Sequence, residues 1–198
     1  SFNGPHSLFI DTLRTCRILL AANKLGHRVL EENDQEVNLL ERAMTHGLTT
    51  AKYAVYYGEG RDRYDQWGRV AHESIFNAND GQYRCPNSQQ GYSPFSTWTR
   101  GAAWVILGYA EQLEFLRSRE ADGLAPFGGW QALEALFLRV LRATADYYID
   151  DYSCRDGMVY WDTGAPNLGN LGDYRQAVSD PFNPFEPVDS SAAAIAGQ

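Results

Sequence analysis

The feature that most limits the fold is a helical spacing of apolar residues that recurs along the chain and is interrupted by two long polar segments. Apolar side chains repeat every three to four residues, as on one face of an α-helix, over 7–25, 34–57, 98–118 and 130–150. A further short helix is predicted from residue 190, with Asp189 as its N-cap. The segments 58–97 and 152–187 lose this spacing and are rich in turn-forming residues. The sequence therefore predicts an all-α fold with long loops.

Local signals predict where the first two helices begin and end. Ser7 is a candidate N-cap for the first helix, and Gly26 is a candidate stop. Asn33 or Asp34 is the candidate N-cap of the second helix, and Gly58 is its candidate stop.

Helices separated by long polar loops favour an α/α toroid, whose inner helices line a central cleft and whose loops form a site at one end. An open array of helical repeats is the alternative, but no repeat period of roughly thirty to fifty residues is present. The last predicted helix begins less than three turns before the end of the chain, and the first residues are a loop that leads straight into a helix. We therefore expect residues 1–198 to be the central part of a single domain that is truncated at both ends.

The composition argues against several classes of function. With 198 residues and 44% hydrophobic content, the chain is long enough for one domain with an apolar core. A net charge of −8 argues against a nucleic-acid partner, and the lack of a long apolar run argues against a membrane span. Three widely spaced cysteines, Cys16, Cys85 and Cys154, argue against a disulfide framework or a zinc site. With no metal-ligand or phosphate-binding motif, we expect no cofactor and no metal. The oligomeric state and the compartment, cytoplasmic or periplasmic, stay open.

One junction between a loop and a helix carries the strongest functional signal. Trp98, Arg100 and Trp104 fall within two helical turns, directly after a polar loop that contains Gln90. Two aromatic walls around a forked cation are suited to a planar carboxylate, such as that of a sugar acid. The alternative is that both tryptophans belong to the core and that Arg100 is a surface or capping residue.

Two further side chains are candidates for chemistry. Asp11 lies between large apolar residues near a helix start, a setting that would help its carboxyl group to hold a proton and act as a general acid. The alternative is an aspartate that interacts favourably with the helix dipole. His72 precedes a predicted turn and could bind a sugar hydroxyl or a carboxylate, although a lone histidine in a loop is more often solvated or structural. Its neighbour Glu73 is predicted to lie on the surface.

A set of short motifs, in this order, gives the chain a resemblance to a known family. The motifs are Phe9-Ile10-Asp11-Thr12-Leu13, His72, Gln90-Gly91-Tyr92, Ser96-Thr97-Trp98-Thr99-Arg100-Gly101 with Trp104, Tyr160-Trp161-Asp162 and Asp189-Ser190-Ser191-Ala192-Ala193-Ala194. From about residue 3 to residue 198 the chain resembles the unsaturated glucuronyl hydrolases of glycoside hydrolase family 88. The unsaturated rhamnogalacturonyl hydrolases of family 105 share parts of the pattern.

The resemblance implies a catalytic domain that is part of an (α/α)6 barrel. It also implies hydration of the vinyl ether in a 4,5-unsaturated uronic acid at the non-reducing end of a lyase-generated oligosaccharide, which is the expected partner. In this comparison Asp11 matches the catalytic acid and base. The positions that match substrate-binding residues are His72, Gln90, Trp98, Arg100 and Trp104.

The chain also departs from the family pattern. The family's second active-site aspartate lies upstream of the position that Asp11 matches, before residue 1 of this chain. Residues 58–71 resemble an insertion. Two other classes of function stay open: another α/α-barrel sugar enzyme, such as a saturated-sugar hydrolase or an epimerase, and a non-catalytic carbohydrate-binding protein. An ordinary hydrolase needs a second carboxylate about 5–9 Å from the first, for which Asp162 and Asp189 are the candidates.

Overall fold

Five α-helices form the framework of the protein. The computed structural model describes residues 6–30, 34–118 and 123–198. The helices are α1 (Leu13–Lys24), α2 (Leu39–Tyr53), α3 (Thr99–Arg117), α4 (Gly129–Tyr147) and α5 (Ser190–Ala196). The long helix α3 is central, because it packs against α1, α4 and α5, while α2 packs against α1 and touches α4. The helical segments predicted from apolar spacing are confirmed, with corrections at their ends.

The apolar core lies between these helices. Leu13 of α1, Tyr109 of α3 and Phe137 of α4 are fully buried, and the rings of Tyr109 and Phe137 meet edge to face at 4.9 Å. Each such side chain contributes roughly 1.5–3 kcal/mol through burial. Helices α1 and α3 approach closely at Gly108, where a Cβ atom would come within 2.7 Å of the Leu13 Cβ. A residue without a side chain at this position is therefore what allows the two helices to cross.

A small antiparallel sheet stands beside the helices and was not predicted. Its strands are β1 (Ser7–Phe9), β4 (Glu73–Phe76) and β5 (Tyr83–Asn87), in the order β1-β4-β5. Ser7 pairs with Ile75, and Phe9 pairs with Glu73. The prediction that Ser7 caps the first helix is therefore wrong, because pairing with a strand more than sixty residues away keeps residues 7–9 extended. A single 3-10 turn, Ile10–Thr12, connects β1 to α1.

The remaining helix ends follow local chemistry. In a second, two-stranded sheet, β2 (Val29–Leu30) pairs with β3 (Glu36–Val37), and β3 occupies the start of the predicted second helix. The N-cap of α2 is therefore Asn38, whose side chain accepts from the Glu41 N–H, and not Asp34; Asn33 lies outside the described residues. The predicted N-cap at Asp189 and the predicted stop at Gly26 are confirmed: Asp189 accepts from the Ala192 N–H, and Gly26 has a φ of 74° just after α1. The predicted stop at Gly58 is wrong, because α2 ends at Tyr53. Helix α4 continues into a π-helical turn, Tyr148–Tyr152.

Three further observations concern membrane spans, disulfides and metal sites. Of the helices in the described ranges, none is long and apolar enough to cross a membrane. Cys16, Cys85 and Cys154 are free thiols, and the first and the last of them are buried. Within the described residues, no three His, Cys, Asp or Glu side chains are grouped so that they could hold a metal ion.

Candidate active site

Asp11 and His72 meet where the three-stranded sheet joins the first helix. Asp11 lies in the 3-10 turn after β1, and His72 directly precedes β4. The Ile10 N–H donates to the His72 carbonyl at 3.2 Å, which extends the pairing of the two strands by one residue. The side chains then approach each other, with 3.0 Å between Asp11 Oδ2 and His72 Nε2. Strand register therefore holds the pair together across sixty residues of sequence.

The hydrogen bonds around His72 identify its tautomer. Its Nδ1 accepts from two backbone N–H groups, that of Gln89 at 3.0 Å and that of Gln90 at 3.3 Å. A nitrogen that accepts hydrogen bonds carries no proton, so the imidazole is neutral and its proton is on Nε2, from which it donates to Asp11. Asp11 Oδ1 makes no hydrogen bond within the described residues. One carboxylate oxygen is thus held in place, and the other is free.

The surroundings of Asp11 differ in one respect from those the sequence predicts. Its side chain is 19% exposed, whereas that of His72 is 2% exposed. The buried histidine also contacts the rings of Phe9 and Trp98 edge-on, with centroids 5.2 Å and 5.0 Å away. The partly exposed Asp11 carboxylate is therefore bonded to a buried histidine, which two aromatic rings contact.

Glu73 is fully buried, and the prediction that it lies on the surface is wrong. Its carboxylate accepts from the Ser7 hydroxyl, from Asn87 Nδ2 at 2.6 Å and from Gln89 Nε2 at 3.2 Å. Because the backbone of Gln89 in turn donates to His72, Glu73 fixes the segment that sets the histidine tautomer. Alternation along β4 could have indicated that Glu73 and Ile75 share a face, but nothing local identifies these three donors.

Trp98, directly before α3, contacts the His72 ring, and Arg100 follows it in the first turn of the helix. The buried Thr97 hydroxyl exchanges hydrogen bonds with the Val70 backbone, accepting at 3.0 Å and donating at 3.2 Å, and this sets Trp98 beside His72. The Arg100 guanidinium lies over the Trp98 ring at 5.0 Å. Its Nε is 3.6 Å from Asp189 Oδ2, while 44% of the Arg100 side chain is exposed. One edge of the guanidinium is thus directed towards an internal carboxylate, and a substantial part of the group remains accessible.

Two predicted site residues have weaker links to this cluster. Gln90 reaches it through its backbone N–H, while its side chain is exposed. Trp104 is half-buried, one helical turn beyond Arg100, and its ring is contacted by the Arg14 guanidinium at 5.3 Å. Arg14 is thus a second cation beside a predicted site residue, and it was not predicted. Its position three residues after Asp11, on the same face of a helical turn, was the available signal.

The Asp162 carboxylate supports the loop that carries Gln90. It is buried, and its two oxygens accept from the Tyr92 N–H and the Gly164 N–H, each at 2.8 Å. Burial raises the pKa of Asp162, and the hydrogen bonds from Ser96, Gly164 and Tyr92 only partly oppose this rise. A Cβ atom at Gly91 would lie 2.9 Å from Asp162 Oδ2. The carboxylate therefore holds the loop that carries Gln90 against Trp98.

No protein-family model matches this chain. An unsaturated glucuronyl hydrolase of Formosa agariphila is 23% identical over 189 residues, which are 95% of this chain and 35% of that protein. The chain thus spans about a third of the length of the curated relative.

Solved structures of unsaturated glucuronyl hydrolases resemble the fold of this chain. The unsaturated glucuronyl hydrolase of Bacillus sp. GL1 matches 99% of this chain and 40% of its own, with a TM-score of 0.60 and 23% identity. That of Streptococcus agalactiae matches 96% of this chain and 36% of its own, with a TM-score of 0.62 and 21% identity. The resemblance to unsaturated glucuronyl hydrolases is confirmed, and the chain has the fold of a part of their α/α barrel.

Proposed function

We propose that the protein containing this chain is a glycoside hydrolase that releases 4,5-unsaturated uronic acid from lyase-generated oligosaccharides. The observation that carries the proposal is the pair formed by Asp11 and the neutral His72, with Trp98 and Arg100 beside it. The similarity to unsaturated glucuronyl hydrolases along 95% of the chain supports it. A relative from Streptococcus agalactiae, mutated and 19% identical, has been solved in complex with dGlcA-GalNAc6S.

In the proposed reaction Asp11 acts first as an acid and then as a base. His72 occupies Oδ2 as a donor, so the proton for the substrate sits on Oδ1. Transfer of this proton to C4 of the vinyl ether leaves positive charge at C5, which the ring oxygen shares. Water adds at C5 and gives its proton back to Oδ1. The hemiketal formed in this way opens and expels the remaining sugar, and Asp11 ends in its starting state.

Arg100 and Trp98 are proposed to bind the uronate. The chain has a net charge of −8, so its overall field repels an anionic substrate and a local cation must attract it. The exposed part of the Arg100 guanidinium can pair with the carboxylate, while Asp189 and the Trp98 ring hold the group in position. His72, Gln90 and Trp104 remain proposed substrate-binding residues.

The structure supports an ordinary hydrolase of saturated sugars less well than the proposed reaction, because such a hydrolase needs two free carboxyl groups. Asp162 has both oxygens bonded to backbone N–H groups, and Asp189 caps α5 and faces Arg100. Hydration of a vinyl ether needs a single acid, and Asp11 has a free oxygen for that role.

The test is an assay of the protein on lyase-generated disaccharides, followed by the loss of ultraviolet absorbance of the conjugated double bond. We expect Asp11→Asn to lower turnover by roughly 100- to 10,000-fold without changing the circular dichroism spectrum. Asp173→Asn is the matched control, because Asp173 is exposed and its carboxylate has, among the described residues, only a 3.8 Å ion pair with Arg175. Activity above a few per cent in the Asp11 variant would contradict the assignment of the acid, and an inactive wild-type protein would contradict the function itself.

A further inference from the structure

A concave region lies beside the loop that contacts His72. It is a cavity of about 570 Å³ between the segment 63–69 and the segment 92–96, and Tyr147, Thr163 and Gly164 also line it. This volume is typical of pockets that hold small molecules. None of the residues matched to the reaction lines it.

Aromatic rings form one wall of the cavity. Tyr64 and Phe95 contact each other with centroids 5.0 Å apart, yet they remain 55% and 43% exposed. Tyr92, which is 54% exposed, adds a third ring. Three large, solvent-exposed rings around one concavity offer flat apolar surface and a hydroxyl-bearing edge, a combination that suits the faces of a sugar ring.

The charged side chains of the first segment differ in whether they have partners. Both oxygens of Asp65 accept from backbone N–H groups, and Asp62 pairs with the buried Arg69 at 2.6 Å. Arg63 is exposed and lines the cavity, but it has no hydrogen bond or ion pair within the described residues. The Nε of Arg69, which also lines the cavity, is buried without a partner in the described part of the chain. The nearby carboxylates are thus engaged internally, while a cation and a buried donor are not.

We infer that this cavity is a binding site for a sugar unit that carries a carboxylate or a sulfate group, separate from the site at Asp11. The ring stacks on Tyr64 and Phe95, and its anionic group pairs with Arg63. The loop 89–96 joins the two sites, because its Gln89 and Gln90 N–H groups bond to His72 while its Phe95 carbonyl accepts from Arg69 at 3.0 Å. The inference concerns binding alone and does not depend on the proposed reaction.

The test uses saturated oligosaccharides, which contain no vinyl ether and cannot be substrates of the proposed reaction. Binding of a saturated chondroitin sulfate tetrasaccharide, a saturated hyaluronan tetrasaccharide and the uncharged chitotetraose is measured by isothermal titration calorimetry. We expect one or both of the anionic ligands to bind at least roughly tenfold more tightly than chitotetraose, since one charge-assisted contact corresponds to about 1.4 kcal/mol or more. The first two ligands distinguish recognition of sulfate from recognition of carboxylate.

Variants locate the binding site. Arg63→Gln and Phe95→Ala should each weaken binding of the anionic tetrasaccharide by roughly tenfold. Because both side chains are exposed, neither change opens the core, and circular dichroism checks the fold. Arg155→Gln is the matched control for charge, since Arg155 is exposed and does not line the cavity. Arg100→Ala distinguishes the two sites, because it should weaken binding of the saccharide only if the saccharide occupies the site at Asp11.

Three outcomes would overturn the inference. The first is that no tetrasaccharide binds, or that chitotetraose binds as tightly as the anionic ligands. The second is unchanged affinity in both Arg63→Gln and Phe95→Ala. The third is loss of binding in Arg100→Ala while the two cavity variants bind normally, which would assign the saccharide to the site at Asp11.

Discussion

The helical core and the loop layer are held together in different ways. Here the loop layer means residues 70–98 together with 160–164 and 186. In the core, buried apolar side chains from α1, α3 and α4 pack against one another. In the loop layer, buried carboxylates accept hydrogen bonds from other segments. Glu73 accepts from the side chains of Ser7, Asn87 and Gln89. Glu186 accepts from Trp161 Nε1 and from the Asn167 N–H, each at 2.7 Å.

This difference teaches how the candidate site is positioned. An apolar core tolerates exchanges of similar volume, because packing has no strict direction. A buried carboxylate surrounded by donors tolerates little, because each donor that loses its acceptor remains unpaired and buried. Asp11 lies between the two regions, on the turn that leads into α1, and its partner His72 belongs to the loop layer, next to Glu73. We therefore expect core variants to lower stability alone, and loop-layer variants to lower stability and activity together.

The largest effect on stability is expected in the core. Phe137→Ala removes a fully buried ring that contacts Tyr109 and lies 3.0 Å from the position of a Cβ on Gly47. We expect the free energy of unfolding to fall by about 3–5 kcal/mol, measured by urea denaturation. Phe137→Leu serves as the conservative control and should lose less. Activity per folded molecule should stay unchanged; a specific loss of turnover would remove the distinction between the two regions.

The loop layer is tested by Glu73→Gln. In this variant the amide N–H groups must face a donor that now bonds to the Glu73 carboxylate, so that donor loses its acceptor. We therefore expect the free energy of unfolding to fall by about 1–3 kcal/mol. Turnover should fall as well, and 15N spectra should report that the His72 ring no longer has a single tautomer. Glu114→Gln, on the exposed surface, is the control and should change stability by less than about 1 kcal/mol. A stability loss with normal turnover and an unchanged tautomer would assign Glu73 to the fold alone.

The third prediction concerns the proposed uronate contact. Arg100→Lys keeps the charge but loses the fork that can pair with both carboxylate oxygens. We expect roughly tenfold weaker binding of the unsaturated uronide, which corresponds to about 1.4 kcal/mol. Arg100→Ala should be worse, with the fold intact by circular dichroism. If the lysine variant retains the affinity of the wild type, then Arg100 is structural and another group binds the carboxylate.

The smallest effect is expected in a surface loop, where the Asp65 carboxylate accepts hydrogen bonds from backbone N–H groups. Burial raises the pKa of Asp65, but N–H groups of Arg61, Gly58 and Glu59 and the charge of Arg61 lower it more, so that it lies below its usual value. The stability contributed by Asp65 is therefore fully present above the ordinary aspartate pKa and is lost as the pH falls through the lowered one. We expect Asp65→Asn to be slightly less stable than the wild type near neutral pH in urea unfolding, with a difference that shrinks as the pH falls below the ordinary aspartate pKa. A difference that does not depend on pH would contradict this origin.

Much of the helical framework could be predicted because its signal is local. The apolar period places α1, α3 and α4 to within a few residues, except where β1 takes the start of the first segment. The strands β4 and β5 are short and lack clear alternation, so period alone could not identify them. The contact of Asp11 with His72 was not predictable from spacing either, since it depends on the register of β1 and β4.

By itself, the sequence determined the helices, the N-cap at Asp189 and the motifs that carry the family resemblance, because these depend on neighbours within a few residues. The tertiary structure alone decided which groups face one another. It turned Glu73 from a surface residue into a buried acceptor, and it directed Asp162 to the Tyr92 N–H, seventy residues away. The physical reason is that a buried carboxylate is stable only where donors converge on it, and the chain path that brings such donors together leaves no periodic signal in the sequence.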